Sequence, residues 1–282
     1  MSKKIFFWNL NGRGNAFTKK LATVANGCDI ILLAESKIDD IEIKKLLGLD
    51  RVPSKSDFDE TELTPKLYSN ISNATLQHYS TTPSKRLCFF TIQTKEFSEI
   101  ILGCLHFPSK ASYKGETQLS FANNYAKWIN EVESQRTHKQ TIIFGDFNMN
   151  PFEPGMIEPQ AFNATLSYDI AKTGKRTSHF EKFEYFYNPM WNWLGDREHH
   201  SGKRKLPGSF YYKTTSDVTQ IFWNIFDKVI IRPAIIDVID YPSLKIIEAI
   251  PLHTLITQDF EDKEDNFTDH LPLIFNLNIS TT

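Results

Sequence analysis

Apolar runs of strand length recur along the chain, and they limit what this sequence can fold into. Runs without polar alternation are typical of strands that are covered on both faces. Gly115–Arg136 has apolar residues at helical spacing, and Ala16–Asn26 has a shorter pattern of the same kind, with Asn15 as its predicted N-cap. Strands mixed with helices predict an α/β fold of packed sheets flanked by helices. The strand-length runs are Ile5–Leu10, Ile30–Ala34, Leu87–Ile92, Ile100–Leu105, Thr141–Phe144, Phe226–Ile231, Ile235–Ile239 and Leu271–Leu277.

One domain is expected to span residues 1–282, because no linker-like segment divides the chain. The stretch 172–208 differs from the rest, since it mixes basic residues with closely spaced aromatic residues such as Tyr187 and Trp191. We interpret it as a long loop excursion from the domain. Loops on a rigid scaffold commonly carry substrate selection, so we expect specificity to depend on this stretch.

The charge of the chain restricts its partners. Of the 282 residues, 40% are hydrophobic and 23% are charged, and the formal net charge is −2. This composition argues against disorder. A net charge so close to zero excludes whole-molecule attraction to a polyanion, so a nucleic acid would have to be held by a local basic patch. The candidate substrate-binding cations are Arg86, Lys203 and Arg204.

The cysteines and the N-terminus carry little functional signal. Cys28, Cys88 and Cys104 are odd in number and widely spaced, which argues against a disulfide framework and against a zinc site. We interpret them as reduced core residues. The apolar stretch Ile5–Trp8 is too short for a signal peptide or a bilayer span, so the expected location is the cytoplasm.

Polar residues stand at the ends of the apolar runs, where turn residues alone would explain each of them singly. Strand ends that meet at one edge of a sheet bring distant residues into a single cleft, so we expect these side chains to lie together. Gly145, just before Asp146, is interpreted as leaving room for a metal ion and a phosphate. The candidate site residues are Asn9, Asn11, Glu35, His106, Asp146, Asn148, Asp227, Asp269 and His270.

The residue types of this set indicate one kind of chemistry. Carboxylate and amide oxygens without cysteine fit Mg²⁺, or Mn²⁺ or Ca²⁺, better than zinc. Mg²⁺ keeps few protein ligands, which leaves room for substrate phosphate oxygens. The two histidines, His106 and His270, add groups that transfer protons near neutral pH.

Four motifs, taken in order, resemble the endonuclease/exonuclease/phosphatase superfamily of DNase I-like phosphoesterases. They are WNLNG at 8–12, LLAES at 32–36, GDFN at 145–148 and TDHLPL at 268–273, and the resemblance runs from about residue 4 to residue 278. It implies a four-layer α/β sandwich, in which two mixed β-sheets pack face to face between helices and the site lies at one end.

The resemblance also implies roles for the site residues. Glu35 would bind the divalent metal, with Asn9 and Asp269 close by. Asp146 and Asn148 would orient the phosphate or the attacking water and contact a second metal. His270, held by Asp227, would act as general base, and His106 would contact the phosphate or protonate the leaving oxygen. No acidic partner for His106 is identifiable around Thr64–Tyr68.

The predicted function is therefore a metal-dependent nuclease that hydrolyses DNA or RNA, with DNA as the first expectation. Two alternatives stay open. In one, the same enzyme chemistry acts on a lipid headgroup or on a small phosphorylated molecule. In the other, the fold serves as a non-catalytic binding module, which is disfavoured because every expected metal and proton-transfer position is filled.

Overall fold

A computed structural model describes residues 2–53, 60–196, 205–212, 221–250, 253–255 and 268–281. In chain order the strands are β1 (Lys3–Asn9), β2 (Ile30–Ala34), β3 (Asp50–Val52), β4 (Lys66–Ser69), β5 (Leu76–Thr81), β6 (Leu87–Thr94), β7 (Ser98–His106), β8 (Thr141–Asp146), β9 (Ala164–Thr165), β10 (Lys175–Ser178), β11 (Glu181–Glu184), β12 (Phe186–Tyr187), β13 (Phe210–Tyr211), β14 (Trp223–Asn224), β15 (Asp227–Ile231), β16 (Ile239–Ile246), β17 (Ala249–Ile250), β18 (His253–Thr254) and β19 (Leu273–Leu277). The α-helices are α1 (Thr18–Val24), α2 (Asp40–Leu47), α3 (Gly115–Arg136), α4 (Pro154–Ile157) and α5 (Tyr168–Lys172).

Two mixed sheets form the body of the protein. The six-stranded sheet has the order β16-β19-β1-β2-β4-β3, and the seven-stranded sheet has the order β5-β6-β7-β8-β15-β12-β9. In the first sheet β1 runs parallel to β2, and in the second β7 runs parallel to β8. Their other neighbours, β19 and β4 in the first sheet and β15 and β6 in the second, are antiparallel. The carboxyl ends of four strands therefore meet the amino ends of β15 and β19 at the same end of the molecule.

The sheets pack face to face over one apolar core. Along β6, Cys88 and Phe90 belong to the core between the sheets, whereas Phe89 belongs to a second core under α3. The ring of Phe144 on β8 lies 5.8 Å, centroid to centroid, from that of Phe275 on β19 in the other sheet. This layering follows from runs that are apolar on both sides, because each face of a strand needs a separate apolar partner.

Helices cover the outer faces. Tyr125 and Ile129 of α3 are buried against the seven-stranded sheet. On the six-stranded sheet, the ring of Phe17, just before α1, lies 5.1 Å from that of Trp8 on β1. The predicted fold class, two mixed sheets packed face to face with flanking helices, is confirmed. Among the described residues, no helix combines the length and the apolar character needed to cross a membrane.

Two local predictions are wrong. The run Ile235–Ile239 is not a strand, because Pro233–Val238 forms a 3-10 helix and β16 begins only at Ile239. Pro233 stands in the first turn, where its fixed φ favours helix. Asn15 does not cap α1 either, since it begins the 3-10 helix Asn15–Phe17. Its side chain exchanges hydrogen bonds with Asp39 instead, through Nδ2 at 2.6 Å and Oδ1 at 2.8 Å.

The stretch 172–208 contains regular structure where it is described. Strands β10 and β11 pair as an antiparallel hairpin. Strand β12 joins the seven-stranded sheet between β9 and β15. The hairpin thus lies between α5 and a sheet strand. Lys203 and Arg204, two of the predicted substrate-binding residues, lie outside the described residues.

Candidate active site

Asn9 joins the two sheets at the end where the strands converge. Its Nδ2 donates to Glu35 Oε1 at 3.2 Å and to Asp146 Oδ2 at 3.1 Å. Its Oδ1 accepts from the backbone N–H of Asn11 at 3.0 Å. Because Glu35 follows β2 and Asp146 ends β8, one buried amide fixes the separation of two carboxylates that come from different sheets.

Glu35 and His106 form a pair across the same site. His106 Nε2 lies 3.1 Å from Glu35 Oε1, and His106 Nδ1 lies 3.1 Å from the carbonyl oxygen of Leu63. The hydrogen bond from His106 is the largest reason that the pKa of Glu35 is lowered to about 2. Glu35 is therefore an anion at neutral pH. The partner of His106 Nδ1 is a backbone carbonyl, which the sequence could not indicate.

His270 is held from one side by Asp227. His270 Nδ1 lies 2.9 Å and 3.0 Å from the two carboxylate oxygens of Asp227. Since a carboxylate only accepts, Nδ1 carries a proton and Nε2 faces the site, 3.9 Å from Asp146 Oδ2. Burial alone lowers the pKa of His270. The charges of Asp227 and Asp146, together with the hydrogen bond to Asp227, outweigh burial and raise that pKa to about 10.

The backbone of the TDH segment is fixed from β1. Trp8 Nε1 donates to Thr268 Oγ1 and to the carbonyl oxygen of His270, both at 2.9 Å. All three residues are buried. The indole therefore holds the segment that presents His270, which explains the tryptophan in the first motif as a structural support.

Asp146 and Asn148 are locked to each other. The backbone N–H of Asn148 donates to Asp146 Oδ1 at 2.8 Å, and its Nδ2 donates to Asp146 Oδ2 at 3.0 Å and to the Phe107 carbonyl at 2.9 Å. Asn148 adopts a φ of 49°, which asparagine tolerates better than most residues. Burial is the largest cause of the raised pKa of Asp146, and the neighbouring Asp227 raises it further.

Gly145 has a different purpose from the one that the sequence suggested. A Cβ on Gly145 would lie 1.9 Å from the carbonyl oxygen of Leu105 on the paired strand β7, and its φ is +141°. The glycine is thus required by the backbone of the neighbouring strand. The interpretation that it leaves room for a metal ion and a phosphate is wrong.

The remaining predicted residues lie at the edge of the site. Asn11, with a φ of 45°, donates through Nδ2 to Asp269 Oδ1 at 3.1 Å. Asp269 is half-buried and is directly before His270. Arg86 Nη1 lies 3.4 Å from the carbonyl oxygen of His106. The structure thus gathers every predicted site residue that it describes.

A groove of about 980 Å³ opens beside Glu35 and His106. Three cations, Lys37, Lys66 and Arg86, line it together with the acids Glu60 and Glu62. It is therefore mixed in charge, and its basic residues line the same groove as His106. With Glu35, three acids face the three cations, so the groove is not a basic patch, and a phosphate-bearing chain would contact its cations beside the site.

Aromatic residues lie against His270 on the other side. The ring of Phe210 lies 4.5 Å from that of His270 and stacks at 4.9 Å on the ring of Phe226. The nearby Tyr212 and Phe222 are exposed. No motif in the sequence marks Phe210 as a site residue, since it stands in a two-residue strand far along the chain from the four motifs.

Asp146, Asp227 and His270 offer ligand atoms that all lie within 4.8 Å of one another, so this buried cluster could hold a metal ion. A second arrangement uses Glu35 and Asp146, whose oxygens share the amide donor of Asn9. Both sets consist of hard oxygen donors with at most one imidazole, and no cysteine lies in either. The donor chemistry therefore fits Mg²⁺, Mn²⁺ or Ca²⁺.

The fold and the site define a two-sheet α/β protein whose strand ends carry a buried Asp/Asp/His cluster beside an anionic glutamate. No protein-family model matches the sequence, and no curated protein matches it. Four solved structures that align with nearly the whole chain, at 12–15% identity, are members of the endonuclease/exonuclease/phosphatase superfamily.

Three of these structures illustrate the similarity. The endonuclease domain of TRAS1, a telomere-specific non-LTR retrotransposon, is 14% identical, with 98% of each chain covered and a TM-score of 0.48. D. rerio TDP2, complexed with a single-strand DNA product, is 14% identical over 98% of this chain and 99% of that chain, with a TM-score of 0.49. The 3′ phosphatase NExo from Neisseria, bound to a product DNA hairpin, is 15% identical over 98% and 99%, with a TM-score of 0.48.

Proposed function

We propose that this chain is a divalent-metal-dependent phosphodiesterase of the endonuclease/exonuclease/phosphatase superfamily that hydrolyses nucleic acid, DNA before RNA. One observation carries the proposal. His270 bonds Asp227 through Nδ1 and turns Nε2 toward Asp146, while Asn9 holds Asp146 beside the anionic Glu35. A proton acceptor and a set of hard oxygen ligands thus share one small volume, as phosphoester hydrolysis requires.

His270 is the proposed general base. With Nδ1 bonded to Asp227, Nε2 is the nitrogen that accepts a proton from the attacking water, and Asp227 stabilises the imidazolium that forms. The raised pKa of His270 in the ion-free protein means that Nε2 must first be deprotonated. We expect hydrolysis to need a condition that lowers this pKa.

Glu35 and Asp146 would hold the divalent cation, with Asn9 fixing their separation and Asp269 close by. A cation bound there supplies positive charge, which offsets the carboxylates that raise the pKa of His270 and neutralises charge that develops on the phosphate. Asn148 keeps Asp146 in its rotamer through two hydrogen bonds. Any direct contact of Asn148 with phosphate would have to replace one of its present acceptors.

His106 and the groove are proposed to bind the rest of the phosphate backbone. His106 is held between the Leu63 carbonyl and Glu35, so its ring orientation is fixed before substrate binds. To donate to a phosphate oxygen or to the leaving oxygen, His106 Nε2 would have to exchange its present partner, Glu35, for the substrate. Arg86 reaches the carbonyl of His106 and lines the groove, where a flanking phosphate would lie.

A substrate panel tests this function. The protein is incubated with plasmid, single-stranded DNA, RNA, sphingomyelin and bis(p-nitrophenyl) phosphate, with Mg²⁺ or with EDTA. We expect cleavage of nucleic acid with Mg²⁺ and none with EDTA. Turnover of the lipid or the small ester alone would replace nuclease by the other phosphodiesterase activity. Survival of every substrate under Mg²⁺, Mn²⁺ and Ca²⁺ would leave a binding module.

Two substitutions connect the activity to the site. Glu35→Ala and His270→Ala are expected to lower kcat by at least about a hundredfold, because each removes a group that acts in the transition state. Matched controls are Glu131→Ala and His179→Ala, which remove exposed side chains away from the site. Retained cleavage in either site variant at equal metal concentration would contradict the assigned role of that residue.

A further inference from the structure

Lys228 is a buried lysine that the proposed chemistry does not use. Burial lowers its pKa to about 7, although the charges of Asp146, Glu153 and Asp227 raise it, so its ammonium form predominates below about pH 7. It follows Asp227 on β15, and its side chain is fully buried. Its Nζ donates to the carbonyl oxygens of Met149, Ile225 at 2.6 Å and Phe226 at 3.2 Å. Three acceptors match the three N–H groups that an ammonium carries, so the charged form is fully bonded.

The three carbonyls belong to the two segments that carry the site. Met149 directly follows Asn148, whereas Ile225 and Phe226 directly precede Asp227. Residues 228 and 230 of β15 point to the same side of the sheet, and Ile230 belongs to the core under α3. Lys228 therefore reaches the two segments from the helix-covered side, opposite to Asp227.

The same two segments are also joined by uncharged hydrogen bonds. Asn150 Nδ2 donates to Asn224 Oδ1 at 2.8 Å, and Asn150 Oδ1 accepts from the Ile225 N–H at 3.0 Å. The Phe147 N–H donates to the Phe226 carbonyl at 2.8 Å. Lys228 adds a charged donor beneath this seam, and its Nζ also lies 5.2 Å from the centroid of the Phe147 ring.

A buried ammonium at this place is costly. An apolar side chain would remove one donor from each of the three carbonyls, of which the Phe226 carbonyl would keep the Phe147 N–H. Removing an ammonium from water disfavours folding unless strong acceptors replace the water. Hydrogen bonds from a charged donor are about twice as strong as neutral ones, so the three carbonyls hold Lys228 rigidly. This hold restrains Asn148, the residue before Met149, and Asp227, the residue after Phe226.

We propose that Lys228 is a positioning residue, whose ammonium clamps the Asn148 segment to the segment before Asp227 and so sets the distance between Asp146 and His270. The inference rests on the proposed function for its meaning in catalysis. Its structural half, the placement of Asn148 by Lys228, can be measured without any activity.

The test uses Lys228→Met, which keeps an unbranched side chain one heavy atom shorter and removes every donor. The first readout is the side-chain amide signal of Asn148 in the NMR spectrum of the metal-free protein, assigned by its loss in Asn148→Asp. We expect the signal to shift and its hydrogen exchange to accelerate at least about tenfold, because Asn148 loses the support of the Met149 carbonyl. The second readout is kcat and KM for the substrate found above, with kcat falling on the order of a hundredfold and KM changing little.

The matched control removes a buried cation that directly follows the same strand. Arg232 is the residue that follows β15. It donates to Glu133 and to the carbonyl oxygens of Glu184 and Tyr185, away from the site. Arg232→Met with Glu133→Gln is expected to lower stability while leaving the Asn148 signal and kcat near those of the unchanged protein. If the Asn148 signal and kcat change equally in Lys228→Met and in the control variant, the cause is a general loss of packing, and the proposal is overturned.

Two further variants keep the test decisive. Lys228→Arg retains a charged donor and should recover part of kcat and of the Asn148 protection. If Lys228→Met does not fold, Lys228→Gln, which keeps two neutral donors, replaces it with the same expectations. An unchanged Asn148 signal in the donor-deficient variant refutes the proposal. A shifted Asn148 signal in a protein whose unchanged form cleaves nothing would instead refute the proposed function and leave the clamp standing.

Discussion

The neutral side-chain amide of Asn9 donates hydrogen bonds to two carboxylates, which a carboxylate at this position could not do. Its Nδ2 donates to two carboxylates, Glu35 and Asp146, and its Oδ1 accepts a backbone N–H. An aspartate at this position would add a third negative charge without a donor, and the three acids would repel one another. The motif WNLNG therefore contributes the group that lets two anions approach before any cation is bound.

The protonation of His270 is set mainly by Asp227. In the ion-free protein, Asp227→Asn should lower the pKa of His270 from about 10, because it removes the largest of the charges that raise it. The pKa is measured by following the imidazole signals by NMR in EDTA. Asp269→Asn is the matched control, since Asp269 contributes less than Asp227 and Asp146. Equal shifts in the two variants would contradict the assigned pairing.

This pairing also determines a pH dependence of stability. The folded-state pKa of about 10 lies above the ordinary value of 6.5, so protonated His270 stabilises the folded protein below about pH 6.5. That contribution is lost as the pH rises through about 10. The difference in free energy of unfolding between the unchanged protein and Asp227→Asn, measured in urea, should therefore be largest below pH 6.5 and shrink toward pH 10.

Substitution of Glu35 distinguishes the two candidate metal sites, Glu35 with Asp146 and the cluster of Asp146, Asp227 and His270. Glu35→Gln removes the charge of a carboxylate whose pKa is lowered to about 2, and we expect the affinity for Mn²⁺ to fall at least about tenfold. Isothermal titration calorimetry measures it, and Glu62→Gln, from the same groove, is the control. If Glu35→Gln leaves the affinity unchanged while Asp146→Asn abolishes it, the ion lies in the Asp146, Asp227 and His270 cluster.

At the scale of elements, the sequence predicts best where periodicity is long. Helix α3, with 22 residues, has the predicted bounds Gly115–Arg136. The five-residue run Ile235–Ile239 is too short for its period to be measured, so propensity alone misassigned it. Glycines are ambiguous in the same way. Gly145 is required because the β7 backbone leaves no space for a Cβ, and that neighbour is known only once the strands are paired.

Gly145→Ala should destabilise the sheet far more than an ordinary glycine substitution. A Cβ 1.9 Å from the Leu105 carbonyl must displace backbone, and φ of +141° is strained for alanine. We expect a loss on the order of 3 kcal/mol or more in the free energy of unfolding in urea. Gly27→Ala is the control, since its φ is +71° and nothing lies within 4 Å. It should lose only about 1–2 kcal/mol, and equal losses would refute the steric argument.

For the whole molecule, the site is predictable because its residues punctuate strands, and the sheets bring strand ends together. Asn9, Glu35, Asp146 and His270 stand at such ends, so their proximity follows from the fold. The support around them does not follow. The contact of His106 with the Leu63 carbonyl involves a backbone atom, which no residue type in the sequence indicates. Lys228 stands inside an apolar run, and the side of the sheet to which it points depends on the side to which Asp227 points. Backbone acceptors and the facing of strands are tertiary properties.

The small net charge of the whole molecule makes a further prediction about nucleic-acid binding. The groove offers Lys37, Lys66 and Arg86, and the chain as a whole carries −2, so few phosphates can be neutralised. Binding of a single-stranded oligonucleotide in EDTA should have a slope of log K against log salt of about −2, since each phosphate contact contributes about −0.7. Fluorescence anisotropy, measured between roughly 50 and 300 mM salt, gives this slope.

Arg86 is the cation through which this prediction is argued, because its Nη1 reaches the His106 carbonyl and so connects the groove to the site. Arg86→Gln should weaken binding and make the slope less steep by about 0.7, the contribution of one phosphate contact. Lys127→Gln removes an exposed cation of α3 whose nearest acid is Glu131, and it should leave the slope unchanged. A slope that both substitutions reduce equally would mean that the polyanion is held by diffuse charge. The groove would then have no part in choosing which phosphate enters the site.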